Sequence, residues 1–205
     1  MQTKVIVHKN DISENVKFSN LIAADCEMMG LQPKRDPLCL MQLYDGKGDC
    51  HLVHFADKNY EAPNLKKILK SNSTFIFHYA RHDMAAIYHD LGVMLENIYC
   101  TKIASKIART YSQSHGYRDL CKELLKVEIS KKQQSSDWSN PKLSEEQINY
   151  AANDVIHLHE IKKVLDEILK RQDRTSLANS CFSFLQTRVE LDLRGWENDI
   201  FSHSS

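Results

Sequence analysis

The 205 residues suffice for one domain with a sizeable buried core. Lys and Arg number 27 and Asp and Glu number 27, a balance that argues against gripping long nucleic acids through many phosphate contacts. No apolar run approaches the roughly 20 residues of a membrane span, and Met1 to Asp11 lacks a signal-peptide pattern, so a soluble cytoplasmic protein without membrane contact is expected. Six scattered cysteines without a Cys-x-x-Cys pair suit a reducing compartment better than a disulfide framework.

Lys4 to His8 is a short β-branched run that predicts an edge strand. Leu21 to Met28 is apolar until it admits acids near its end, the pattern of a strand buried on both faces. Gly30 then allows a tight turn, with Leu31 on its far side. Pro37 to Tyr44 and Asp49 to Phe55 predict two strands joined by Asp45-Gly46-Lys47-Gly48, a hairpin signal. Asn64 to Lys70 suits a short helix. Thr74 to Tyr79 predicts a buried strand, running into an Ala80 to Leu91 helix closed by Gly92. Val93 to Cys100 is a further short strand.

Thr101 is expected to cap a helix reaching about Thr110, and His115-Gly116 leads into an amphipathic helix ending near Lys126. Lys131 to Trp138 reads as a polar loop in which Trp138 suits a packing anchor better than a base-stacking group. Ser144 to Lys170 reads as one long helix and Thr175 to Arg194 as another, broken at Gly195. The order predicts an α/β or α+β domain with a mixed central sheet and helices on its faces. Trp196, Ile200 and Phe201 give the tail large apolar groups that are expected to dock, on the chain itself or on another copy.

Asp25 and Glu27 are two apart on a strand and leave the same face. Two carboxylates there repel each other and cost desolvation energy unless a cation joins them. Asp83 falls in the first turn of a helix, where it serves either as a dipole-facing cap or as a ligand. Tyr150 and Asp154 lie one helical turn apart. Four carboxylates and a phenol from three elements are what a site for two divalent cations requires, Mg²⁺ or Mn²⁺, provided that the fold brings them together. His157 and His159, two apart on a helix, make poor metal ligands.

The segments Asp25-Cys26-Glu27, His78 to Asp83 and Tyr150-Ala151-Ala152-Asn153-Asp154 resemble the three exonuclease motifs of the DEDD superfamily, and the tyrosine marks its DEDDy branch. Ser136 to Ser139, Leu143 to Gln147 and Tyr150 to Val155 resemble ribonuclease D. Met28-Met29-Gly30-Leu31, Lys131 to Trp138 and the run from Leu191 to Ser204 are similar to the nanoRNase C group.

The resemblance implies a ribonuclease H-like fold and a 3'-5' exoribonuclease that releases 5'-mononucleotides from very short RNAs such as dinucleotides. It implies that Asp25 bridges two ions, that Glu27 and Asp154 serve the ion that activates water, and that Asp83 serves the other. Tyr150 would orient the attacking water, and Glu27 would accept a hydrogen bond from the terminal 3'-hydroxyl. Leu31 would be an apolar wedge between the last two bases, against a reading as a buried loop leucine. Met28, His78, His115, Lys131, Lys132 and Gln134 would complete the substrate contacts.

The resemblance also implies a homo-oligomer, a ring octamer among the forms considered, with 171–205 as a helix and tail in protomer contacts. The stretch after Asp154 leaves little room for the C-terminal helical RNA-binding domain of ribonuclease D, so a single exonuclease domain is expected over 1–205. Two alternatives stand beside this reading: a broader exonuclease on longer RNA or single-stranded DNA, and an inactive RNA-binding scaffold.

Overall fold

The computed structural model describes residues 3–129, 136–196, 200, 201 and 203. Six strands form one mixed sheet in the order β1-β4-β3-β2-β5-β6. β1 (Val5–Lys9) is the predicted edge strand, parallel to β4 (Cys50–His54). β3 (Leu38–Tyr44) lies antiparallel between β4 and β2 (Leu21–Met28). β5 (Thr74–Phe77) and β6 (Ile98–Cys100) continue the sheet in parallel beyond β2. Every residue of β3 and β4 is buried, which is why these segments read as almost unbroken apolar runs.

Helices flank the sheet. α1 (Pro63–Leu69) follows the hairpin, and α2 (Ala80–Ala86) joins β5 to β6 through a π-helical turn, Ile87–Leu91. Gly92, at φ 68°, ends that turn in the left-handed region, as its type suggests. α3 (Thr101–Ala108) precedes the short α4 (Tyr117–Leu120) and a second π-helical turn, Cys121–Leu125. Then come α5 (Glu145–Ile156), α6 (Leu158–Arg171) and α7 (Thr175–Arg194). α5 packs across β2, β3 and β4, while α2 packs on α7 and α3 on α6.

Two local expectations are corrected. Ser144 to Lys170 is two helices, not one, with the break at His157 (φ −99°, ψ −4°). The Tyr117 hydroxyl donates to the Asn153 carbonyl at 2.6 Å, taking the acceptor that an unbroken helix would give to the His157 amide. That amide instead reaches the Val155 carbonyl. Thr101 is the first residue of α3 but does not cap it. Its hydroxyl donates to the Phe77 carbonyl at 3.1 Å.

Trp138 is buried, with its ring centroid 6.1 Å from that of Tyr150, as suits a packing anchor. The α5 N-terminus is a capping box, in which Ser144 Oγ accepts the Gln147 amide at 3.2 Å and Gln147 Oε1 accepts the Ser144 amide at 2.9 Å.

Candidate active site

The site is built where β2 ends, α2 begins and α5 passes over them. Alternation along β2 sends Asp25 and Glu27 to the same side. Asp83, in the first turn of α2, is almost fully buried, and its Oδ1 accepts the Cys26 amide at 3.1 Å, midway between the two β2 acids. Asp154 arrives from α5 with Tyr150 one turn before it, and the Tyr150 phenol near Asp154 works to lower the acid's pKa. All five residues line one cavity of about 670 Å³, together with His78, Tyr79, His82, Lys102, Tyr117 and Arg118. An oxygen from each of Asp25, Glu27 and Asp154 lies within 4.8 Å of the other two.

Such crowding has an electrostatic cost. Burial, and then repulsion from Asp83, Asp154 and Glu27, pushes the Asp25 carboxyl well above the usual carboxylate range. Burial followed by Asp154 and Asp83 does the same to Glu27, and burial raises Asp83 against its amide bonds. Burial lifts Asp154 to about 7, the Tyr150 phenol opposing it. Buried acids that destabilise one another in this way are relieved by a divalent cation. The donor set is all carboxylate oxygen, which suits hard Mg²⁺ or Mn²⁺ rather than a thiophilic metal. Burial and Asp154 raise the Tyr150 phenol, so it remains protonated at neutral pH.

The remaining candidates divide. His78 lines the cavity with Nδ1 2.9 Å from Thr101 Oγ1, and burial followed by the Lys102 charge pushes its imidazole down to about 3. It is therefore neutral. His115 does not line the cavity; its Nδ1 is 2.8 Å from Ser105 Oγ, and its neighbours Gly116 and Tyr117 take the wall position instead. Met28 is half-buried beyond a register shift in the β2–β3 pairing. Leu31 is 81% exposed, which removes the buried-leucine reading. It sits in a loop where Gly30 is needed for space, because a Cβ there would collide with the Asp36 carboxylate. Lys131, Lys132 and Gln134 lie outside the described residues.

Several neighbours of the acids were not singled out from sequence. Gln42 faces Asp25 across the β2–β3 register, with Nε2 3.5 Å from Oδ2. A lone amide in the apolar run from Leu38 to Tyr44 was its signal. Tyr117 and Lys102 carried no signal, because only the fold brings them to the acids. Tyr79 holds φ at 71°, rare for an aromatic residue, and turns a 46% exposed ring to the cavity with Lys102 Nζ 4.3 Å from its centre.

A family of 3'-5' exonucleases matches residues 7–170. The chain belongs to that family. Ribonuclease D of Gluconacetobacter diazotrophicus is 29% identical to this exonuclease over 164 residues, covering 80% of this chain and 41% of that protein. The chain thus spans about two fifths of the length of the curated ribonuclease D relatives it matches. The structure of Brucella melitensis NrnC bound to pGG is 46% identical with a TM-score of 0.93, covering 99% of this chain and 100% of that one. Brucella melitensis NrnC with bound Mg²⁺ is 45% identical with a TM-score of 0.92, over 98% of this chain and 100% of that one. The exonuclease is of the ribonuclease D and NrnC type, and its mixed sheet flanked by helices is the ribonuclease H-like fold that the motifs imply.

Proposed function

We propose that this exonuclease removes 5'-mononucleotides from the 3' ends of very short RNAs, using two divalent cations held by Asp25, Glu27, Asp83 and Asp154. The convergence of four carboxylates, one buried and three half-buried, from three elements around one cavity carries the reading. When bound, Mg²⁺ or Mn²⁺ would supply Lewis-acid stabilisation of the phosphodiester and acidify water. Tyr150, a neutral phenol one helical turn from Asp154, orients the attacking water and does not act as a phenolate. Attack at phosphorus breaks the bond to the 3'-oxygen of the preceding nucleotide. Glu27 receives the terminal 3'-hydroxyl, which restricts cleavage to a chain end.

The preference for short RNA is supported by the balanced charge, which suits end recognition rather than a long basic groove, and by the likeness to NrnC, one structure of which holds pGG. Leu31, exposed on its loop, is free to insert between bases, and Met28 and His115 would flank the path with Lys131, Lys132 and Gln134. The exonuclease works in the cytoplasm as a homo-oligomer. Trp196, Ile200 and Phe201 keep 54%, 48% and 76% exposure although Phe201 lies against Phe184, which leaves apolar surface for a second copy. Light scattering on a chain cut after Arg194 checks this, and an unchanged molar mass refutes it.

The deciding experiment compares kcat/KM for a dinucleotide and an RNA of about 20 nucleotides, with Mg²⁺ and with Mn²⁺, beside Asp154→Ala; for catalytic metal sites, losses of at least ~10²-fold are expected in the variant. Preference for the longer RNA or for single-stranded DNA would establish the broader exonuclease instead. Metal-dependent hydrolysis that survives Asp154→Ala would remove the site assignment.

A further inference from the structure

Among the described candidate substrate contacts, His78 is one whose tautomer follows from its hydrogen-bond partners. The Phe77 carbonyl can only accept, so the Thr101 hydroxyl 3.1 Å away gives its proton there. The same hydroxyl oxygen then accepts from His78 Nδ1, at 2.9 Å. A neutral imidazole with its proton on Nδ1 carries a bare lone pair on Nε2. His78 Nε2 takes no hydrogen bond from the described residues and is not among the buried unpartnered polar atoms, so it is open in a cavity that His78 shares with the four acids. The Tyr117 ring, 5.8 Å from the imidazole, holds the other side. An open acceptor repels phosphate oxygens and demands a donor. In a nucleotide beside the scissile bond the donors are the sugar hydroxyls and the N–H groups of the base, and of these only the hydroxyls are present whatever the base.

We propose that His78 Nε2 accepts a hydrogen bond from a sugar hydroxyl of the substrate, so that this residue reads the sugar and not the phosphate. The assignment rests on the exonuclease reading above and adds to it an atom-level role. Thr101 and the Phe77 carbonyl hold the tautomer, and the end of β5 and the start of α3 fix both in place. The bond is lost if the proton moves to Nε2, which explains why the relay ends on a carbonyl rather than on a second hydroxyl.

The test has two parts. Long-range ¹⁵N NMR on the whole protein reads the tautomer directly, with Nδ1 protonated and Nε2 unprotonated at neutral pH. Kinetics then use a ribodinucleotide and three analogues, lacking the 2'-hydroxyl of either nucleotide or the terminal 3'-hydroxyl. Wild type is expected to lose about tenfold in kcat/KM on one analogue, the worth of one good hydrogen bond in such a site. His78→Asn keeps an amide near Nδ1 for Thr101 but places nothing at Nε2, so it should cut the ribodinucleotide less well and no longer distinguish that analogue. His78→Gln, which returns an acceptor near Nε2, should restore part of the discrimination.

An Nε2-protonated tautomer overturns the proposal. So does the same analogue penalty in wild type and His78→Asn, or a change confined to base preference. Absence of metal-dependent cleavage by wild type would sink the exonuclease reading instead, and the two failures are told apart by that first measurement.

Discussion

The Tyr117 hydroxyl occupies the backbone ladder of α5, donating to the Asn153 carbonyl at 2.6 Å while the His157 amide turns to the Val155 carbonyl. Asn153 precedes Asp154, so a side chain that also lines the cavity holds the helix just where it delivers a proposed metal-ligating carboxylate. Burial raises the Tyr117 phenol far above its ordinary range, so the hydroxyl keeps its proton for Asn153. Tyr117→Phe should cost about 1–3 kcal/mol of stability, the penalty for buried groups left unpaired. It should also weaken Mg²⁺ affinity and lower kcat as Asp154 shifts. Thermal unfolding with and without Mg²⁺, and a Mg²⁺ titration of activity, check both. A variant that loses stability but keeps wild-type metal affinity and kcat would show that Tyr117 only braces the fold.

Asp83 does two jobs that substitution can separate. Its Oδ1 takes the Cys26 amide, fixing β2 between its two acids, and its charge would serve the proposed metal centre. Asp83→Asn keeps an oxygen for Cys26 and removes a charge that raises Asp25 and Glu27. It should fold at least as well as wild type without metal, yet lose ~10²-fold or more in kcat. Asp83→Ala also strands the Cys26 amide and should unfold about 1–3 kcal/mol more easily. Denaturant melts of the two variants in chelator resolve them; equal stabilities would mean the amide bond contributes nothing.

The raised acids make metal stabilisation depend on pH. A carboxyl whose folded pKa lies above its unfolded value favours the fold below the unfolded value, near pH 4, and that contribution is lost as pH rises through the folded one. Asp154, lifted to about 7 by burial, and Asp25, Glu27 and Asp83, also raised, therefore penalise the metal-free fold towards pH 8. Ion binding needs them ionised. The gain in melting temperature on adding Mg²⁺ should be small near pH ~5.5 and grow towards pH ~8, because protons compete with the ion. Taking the difference between Mg²⁺ and chelator cancels the buried histidines, whose lowered pKa values act in the opposite sense. A gain that is flat across this range would show that the four carboxylates do not bind the ion.

The acids were legible because each sits where local geometry alone dictates its direction: alternate positions on a strand for Asp25 and Glu27, the first helical turn for Asp83, one turn of spacing for Tyr150 and Asp154. What stayed hidden depends on pairs distant in sequence. Nothing near His157 announces a helix break, since no Pro or Gly is there; the cause is Tyr117, 36 residues before the carbonyl it takes. Thr101 has the residue type of a cap, yet the Phe77 carbonyl competes for its hydroxyl. Leu31 has the residue type of a core group, and only the loop held by Asp36 explains its exposure.

Tyr79 bears on the relation between strain and function. At φ 71° and ψ 41° it sits in the left-handed region, where a bulky side chain costs about 1–2 kcal/mol. The conformation turns its ring to the cavity beside Lys102 rather than into the core. Tyr79→Gly removes the steric cost of this conformation, while the half-exposed ring surrenders little burial. The variant should melt no lower than wild type, yet show a raised KM for a dinucleotide, by about tenfold for one lost base–aromatic contact. Tyr79→Asn, another residue that tolerates this backbone, should behave alike, and Tyr79→Phe should return KM towards wild type. A marked fall in melting temperature for both Gly and Asn, with KM unchanged, would instead make the tyrosine a structural residue whose strain is repaid by packing alone.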